Sequence, residues 1–219
     1  KNRFEPLNDL GDHELDLEVD WRSAKRYPGQ LKAHFEDIEG SRLQKEVAVV
    51  LQNHGVIAHQ TDTVIGLACL PINKLLTRLS KIKHRHHQKC FILLASSLDQ
   101  LNDFIQVDED SLSTLATVTQ QPTTWLVAAK KNVSQQLIGN TNKIAVRITN
   151  HIGVKSICDQ VGAIVSTSAN ISTQPICINT QHARNIFGPN IDYIDQNQTP
   201  GTGKSSTIID LSSSNILRG

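Results

Sequence analysis

Methionine is absent from all 219 residues and residue 1 is a lysine, so residue 1 is not an initiator. Aromatic side chains make up only 4% of the chain, which weakens any reading in which bases stack on an exposed protein face. No apolar run approaches the roughly 20 residues that cross a bilayer. The opening Lys1-Asn2-Arg3-Phe4-Glu5-Pro6 lacks the apolar centre of a signal peptide. Charge of one sign is missing too: 22 Lys and Arg against 21 Asp and Glu leave a formal net charge of +1. No global field therefore draws in nucleic acid, and any anion site must be local. Cys69, Cys90, Cys158 and Cys177 are far apart and form no C-x-x-C pair. That pattern predicts free thiols in a reducing, cytoplasmic setting. There is no fixed-period repeat, no low-complexity tract and no G-x-S-x-G elbow. Gly201-Thr202-Gly203-Lys204-Ser205 falls short of a phosphate-binding P-loop, because Gln198 stands where the first glycine belongs and a strand-like run follows. His84, His86, His87 and Cys90 match no metal-ligand spacing and sit among cations, so no protein-held metal is expected.

What is present reads as one sizeable α/β core. Residues 1–40 combine an acidic stretch, Leu10 to Glu18, with a basic one, Trp21 to Arg26, and show no clear period. They read as an N-terminal extension, and residues 41–219 as the domain. Ser41-x-x-Gln44 is a capping box, Leu43, Val47, Val50, Leu51 and His54 recur at helical spacing, and Gly55 suits a left-handed cap. Beyond it, helical stripes are expected over 75–82, 97–104, 110–118, 151–161 and 180–187. Strands are expected over 56–58, 91–95, 123–129, 144–148, 163–167, 191–194, 207–211 and 216–217. Alternating strands and helices predict a twisted, mixed, largely buried sheet flanked by helices.

Three stretches carry chemistry. Val56 to Lys89 runs from an apolar strand through Gln60-Thr61-Asp62-Thr63 to a cluster holding Lys81, Lys83, Arg85 and Lys89. It fits a hydroxyl-lined anion site, since Arg offers a planar fork of donors and Lys a point charge. It equally fits a polar turn followed by a solvated helix end. In Ile164 to Asn170 an apolar strand runs into Ser166-Thr167-Ser168-Ala169-Asn170. Small donors at such a strand end can hold phosphate oxygens, or simply make a turn. Arg147 lies inside the apolar strand Ile144–Ile148, so it either faces solvent on an edge or points into an anion pocket. The tail beyond Pro200, Gly201 and Gly203 reads as a hinged flap bringing Ser206 and Arg218 over a ligand; the alternative is a tail that completes the sheet.

In order along the chain, Gln60-Thr61-Asp62-Thr63, Lys83-His84-Arg85-His86-His87-Gln88-Lys89-Cys90, Ala145-Val146-Arg147, Ser166 to Asn170, and Ser205 to Asp210 with Ile216-Leu217-Arg218-Gly219 resemble the motifs of the YrdC/TsaC family of L-threonylcarbamoyladenylate synthases. The resemblance spans roughly Ser41 to Gly219. It departs at Gln60 and Cys90, where the family has proline, at Thr173, where it commonly has glycine, and at Leu94, where some relatives have a threonine-contacting histidine. The resemblance implies a single YrdC-like domain with a concave anion-binding cavity. It implies a cytoplasmic nucleotidyltransferase that turns L-threonine, bicarbonate and ATP into threonylcarbamoyl-AMP and pyrophosphate for tRNA modification. It further implies catalytic roles for Lys83 and Arg85, ATP contacts from Arg85, Lys89, Lys143, Ser166, Ser168, Asn170 and Arg218, and threonine contacts from Thr61, Thr63, Arg147 and Ser206. Magnesium would arrive with ATP, and the implied partners are tRNA and its threonylcarbamoyl-transfer machinery. The alternative of another class is a non-catalytic protein of the same fold that binds tRNA or double-stranded RNA.

Overall fold

The computed structural model describes residues 42, 45–85, 90–117, 119, 121–195 and 201–218. The N-terminal extension, the capping box of Ser41 and Gln44, His86, His87 and Lys89, and part of the 196–204 hinge lie outside the described residues.

The strands are Ile57–His59 (β1), Gly66–Cys69 (β2), Ile92–Ala95 (β3), Thr123–Ala128 (β4), Lys143–Ile148 (β5), Ile164–Ser168 (β6), Tyr193–Ile194 (β7), Thr207–Asp210 (β8) and Ile216–Arg218 (β9). They form one nine-stranded sheet in the order β7-β1-β2-β6-β3-β5-β4-β8-β9. Neighbours β1/β7, β3/β5 and β4/β8 run parallel and the others antiparallel. The sheet is thus mixed, as the alternating pattern predicts. The helices are residues 45–52 (α1), Asn73–Ile82 (α2), Glu109–Ala116 (α3), Gln135–Ile138 (α4), Ile152–Val161 (α5) and Thr180–Phe187 (α6).

Successive strand residues feed opposite faces. Val56 and Ala58 join Leu67, Cys69, Leu93, Ala95 and Val165 under α2 (Leu75, Leu76, Leu79) and α6 (Ala183, Phe187). Ile57, Ala68, Leu94 and Ile164 face the other way, against Val47 and Leu51 of α1 and Val154 and Ile157 of α5. Helices on both faces explain why the central strands are nearly continuous apolar runs.

Several expectations need correction. The helix expected over 97–104 is only a 3-10 turn, Asp99–Leu101. The short α4, capped by Ser134, is too brief for a periodic signal. The left-handed residue ending α1 is His54 (φ 62), not Gly55. Gly55 is required for space, because a Cβ there would lie 2.8 Å from the Val50 carbonyl oxygen. The tail is no detached flap: β8 pairs in parallel with β4, and β9 pairs with β8, so both complete the sheet. Main-chain groups of β8 find partners along β4, which a free flap would leave to water.

Candidate active site

Residues two apart on neighbouring strands point to one face, and the register here aligns them. Ile92 lies beside Ala145 and Ser166, and Leu94 beside Arg147. These side chains, with Ser168 and Leu126, floor a cavity of about 470 Å³. The cavity therefore spreads across the face of the sheet rather than only beyond the strand ends. It is roofed and walled by Thr61 and Thr63, by Lys83 and Arg85, and by Ser206, Leu217 and Arg218. Segments distant in sequence thus converge on one hollow of ligand size.

The turn after β1 is rigidly built. Thr61 Oγ1 donates to the Val64 carbonyl at 2.7 Å, lies 2.9 Å from Thr63 Oγ1, and accepts from the Thr63 amide at 3.1 Å. The chain around Gly201 clamps this turn: the Thr202 amide donates to the Asp62 carbonyl at 2.9 Å and the Gly203 amide to the Thr63 carbonyl at 2.8 Å. A Cβ at Gly201 would lie 2.5 Å from the carbonyl oxygens of Thr61 and Thr63, so only glycine allows this approach.

Arg147 is 5% exposed and pairs with Asp62 at 3.1 Å. It thus occupies an interior strand and lines the cavity, which removes the solvent-facing alternative. Arg85 stacks over the Phe91 ring at 4.8 Å and donates to Thr167 Oγ1 at 3.3 Å and to the Cys90 carbonyl. Burial pulls the pKa of Arg85 and Arg147 below the ordinary guanidinium value, and the charge of Arg218 pulls each further. Guanidinium groups stay protonated nonetheless. The direction reports the cost of crowding three cations around one half-desolvated hollow, and an anion bound there relieves it.

Lys83 is buried to 1% exposure. Its ammonium donates to the Ser168 carbonyl, to the Asn170 carbonyl at 2.7 Å and to Asn170 Oδ1 at 3.3 Å. The cation thus organises the Ser-Ala-Asn turn from beneath. Ser168 Oγ donates to Asn170 Oδ1 at 2.7 Å, and Asn170 Nδ2 donates to the Gln174 carbonyl at 2.9 Å. Ser206 Oγ lies 2.8 Å from Thr124 Oγ1, while Arg218 Nε donates to the Ser206 carbonyl at 3.1 Å. Thr173, at the position expected for glycine, keeps a left-handed backbone with φ 71.

Of the residues singled out by sequence, Thr61, Thr63, Lys83, Arg85, Arg147, Ser166, Ser168, Asn170, Ser206 and Arg218 all line this cavity. Lys89 lies outside the described residues. Lys143 does not line it: its ammonium pairs with Asp210 at 2.6 Å and Ser212 at 2.9 Å. Four residues along β5 separate it from Arg147, roughly 13 Å in a strand. Sequence reasoning missed His59, whose ring contacts Ser166 at 3.1 Å. Its signal was a polar side chain ending an apolar strand immediately before the threonine turn.

No helix among the described residues is long and apolar enough to cross a membrane. All four cysteines are free thiols, and Cys90 alone is not buried. No group of three or more potential metal ligands occurs among the described residues.

The Sua5/YciO/YrdC family model, described as "Telomere recombination", matches residues 49–219. A threonylcarbamoyl-AMP synthase of Haemophilus influenzae (strain 86-028NP) is 35% identical over 158 residues, covering 70% of this chain and 86% of that protein. One from Vibrio campbellii is 35% identical over 179 residues, covering 80% of this chain and 97% of that protein. Among solved structures, P. abyssi Sua5 complexed with L-threonine superposes with a TM-score of 0.73 at 23% identity over 79% of this chain. The match spans about half of that longer protein, 52%. E. coli YciO superposes with a TM-score of 0.70 at 19% identity, covering 81% of this chain and 89% of its own. These two likenesses bear on the fold, whereas the family model and the two synthases bear on descent: the chain belongs to the Sua5/YciO/YrdC family.

Proposed function

We propose that this chain is an L-threonylcarbamoyladenylate synthase, a nucleotidyltransferase making threonylcarbamoyl-AMP and pyrophosphate from L-threonine, bicarbonate and ATP. The observation that carries the reading is the convergence of Arg85, Arg147 and Arg218 with a set of hydroxyl groups on one cavity whose lining, among the described residues, includes no carboxylate. Such a hollow suits a compact polyanion in a half-enclosed space. The relatives named threonylcarbamoyl-AMP synthase supply the substrate class.

The chemistry assigned to the site is a phosphoryl-centred displacement. Threonine's amine condenses with bicarbonate, losing water, to give a carbamate. A carbamate oxygen attacks the α-phosphorus of ATP, the bond to the bridging oxygen breaks, and pyrophosphate leaves with its electron pair. Negative charge shifts onto the departing phosphates, so fixed cations and hydroxyl donors lower the barrier without forming covalent bonds. In this reading Arg85 and Arg218 meet phosphates, while Ser166, Ser168 and Asn170 orient the nucleotide. Thr61, Thr63, Arg147 and Ser206 hold threonine. Lys83 acts by fixing the turn that carries Ser168 and Asn170, and its buried charge adds to the positive potential. Lys89 follows Arg85 in the same motif and belongs to the phosphate side. Magnesium would enter on the nucleotide's phosphates, because the lining offers it hydroxyl groups and no acid. The free thiols accord with a cytoplasmic location, and the product's use implies tRNA and its threonylcarbamoyl-transfer machinery as partners.

The test is pyrophosphate release from ATP, expected only when L-threonine and bicarbonate are both present. Release indifferent to threonine would remove the amino-acid assignment. RNA binding with a steep salt dependence and no ATP turnover would replace the whole reading with that of an RNA-binding protein.

A further inference from the structure

We propose that His59 is a positioning residue for this reaction: its imidazole holds Ser166 so that the Ser166 hydroxyl donates its proton into the cavity, to an anionic oxygen of the nucleotide. The inference rests on the adenylating reading of the cavity given above.

The contact depends on a missing side chain. His59 ends β1, Ser166 lies in β6, and β2 runs between them. Gly66 of β2 lies opposite His59 in the ladder. A Cβ at Gly66 would lie 2.7 Å from Ser166 Oγ and 2.9 Å from His59 Nε2, closer than real Cβ contacts come. The ring therefore crosses a strand over a bare Cα and reaches the hydroxyl at 3.1 Å. Any side chain on Gly66 would close that path.

The direction of this hydrogen bond follows from the ring's protonation. His59 is fully buried. Burial first, then the charges of His151 and Arg147, push its pKa down to about 3. At neutral pH the ring thus carries one N–H. Its Nδ1 is buried with no hydrogen-bond partner among the described residues. A stranded buried N–H is rarer than a stranded acceptor, so the proton belongs on Nε2, the nitrogen facing Ser166. Nε2–H then donates to Ser166 Oγ. That contact uses one of the oxygen's two lone pairs and none of its donor capacity, and among the described residues Ser166 Oγ has no other hydrogen-bond partner. Its own proton is left to donate into the cavity that Ser166 lines. A phosphate oxygen only accepts, so this polarity matches the nucleotide. The opposite tautomer would present the phosphate with lone pairs.

The experiment uses the full chain with 15N-labelled histidine. Nitrogen spectra of the native protein between pH 6 and 9 should show His59 as the Nε2–H tautomer throughout. His59→Phe should raise the KM for ATP about tenfold, the worth of one hydrogen bond, with kcat changed far less. His59→Gln, whose side-chain nitrogen can reach Ser166, should recover most of that loss. In a Ser166→Ala background, His59→Phe should add nothing further. ATP affinity by calorimetry gives the same comparison without turnover. A wild type that lacks threonine-dependent release would thus sink the adenylation reading while leaving the tautomer and affinity results to be read alone. An Nδ1–H tautomer, equal ATP affinity in His59→Gln and His59→Phe, or additive effects with Ser166→Ala would each overturn the proposal.

Discussion

Replacing Lys83 with methionine should damage both the stability and the activity of this protein, in a way that separates it from every other cation of the site. Methionine has nearly the same length and fits the apolar stem, so the change removes the charge and its N–H donors while keeping the packing. The ammonium donates to the carbonyls of Ser168 and Asn170 and to Asn170 Oδ1. The Ser168 hydroxyl still donates to Asn170 Oδ1 and the Asn170 amide to the Ser168 carbonyl, so these two acceptors lose a charge-assisted bond each, about 1.5–3 kcal/mol, while the Asn170 carbonyl is left without a donor among the described residues at about 1–3 kcal/mol. Against this, the variant no longer holds an ammonium out of water, a relief of several kcal/mol. The balance is a loss of about 2–4 kcal/mol. For a domain of this size it lowers Tm by roughly 5–15 °C. Because the same acceptors shape the turn carrying Ser168 and Asn170, ATP affinity should fall with it. Thermal melts and calorimetric titration with ATP on one preparation provide the check. A variant that melts within a degree of the parent and binds ATP equally well would refute the idea that Lys83 holds the turn.

Arg85→Ala should lower turnover by roughly two orders of magnitude with Tm little changed, and Arg85→Lys should not restore full activity, because the planar fork is lost; steady-state pyrophosphate release decides this, and near-parent rates would remove Arg85 from the phosphate-binding set. Thr173→Gly should stabilise the protein by about 1 kcal/mol, since a β-branched residue at φ 71 sits in a region that only glycine adopts freely, and thermal melts showing no gain would mean its surroundings already offset the strain. The pair of Lys143 and Asp210 holds the Asp210 carboxyl down to about 2, below its ordinary 3.8. Its contribution is therefore present above about pH 4 and disappears as pH falls through about 2. Lys143→Ala should flatten that part of the acid-unfolding curve, and an unchanged curve would show the pair contributes nothing.

The sequence alone determined the class of the fold and most of the polar positions that line the cavity. Alternation of strand and helix patterns predicts a mixed α/β sheet because local periodicity is a property of neighbouring residues. Short motifs such as Ser166 to Asn170 and Ala145-Val146-Arg147 mark polar groups on apolar strands, which are costly unless used. Other features depended on which strands become neighbours, something no local pattern encodes. Arg147 could have faced solvent until β5 took its place between β3 and β4. Lys143, on the same strand, was turned to Asp210 only because β8 came to lie beside β4. The tail's glycines suggested a flap, yet edge pairing along β4 decided otherwise, since ladder hydrogen bonds satisfy main-chain groups that a flap would leave to water. His59 is the sharpest case. Its sequence neighbours show only a strand ending in a polar residue, and its role exists because Gly66 leaves an open path to a serine 107 residues away. Local propensity lies in the chain, but the meeting of distant side chains is decided by strand order and register, which only the packed sheet supplies.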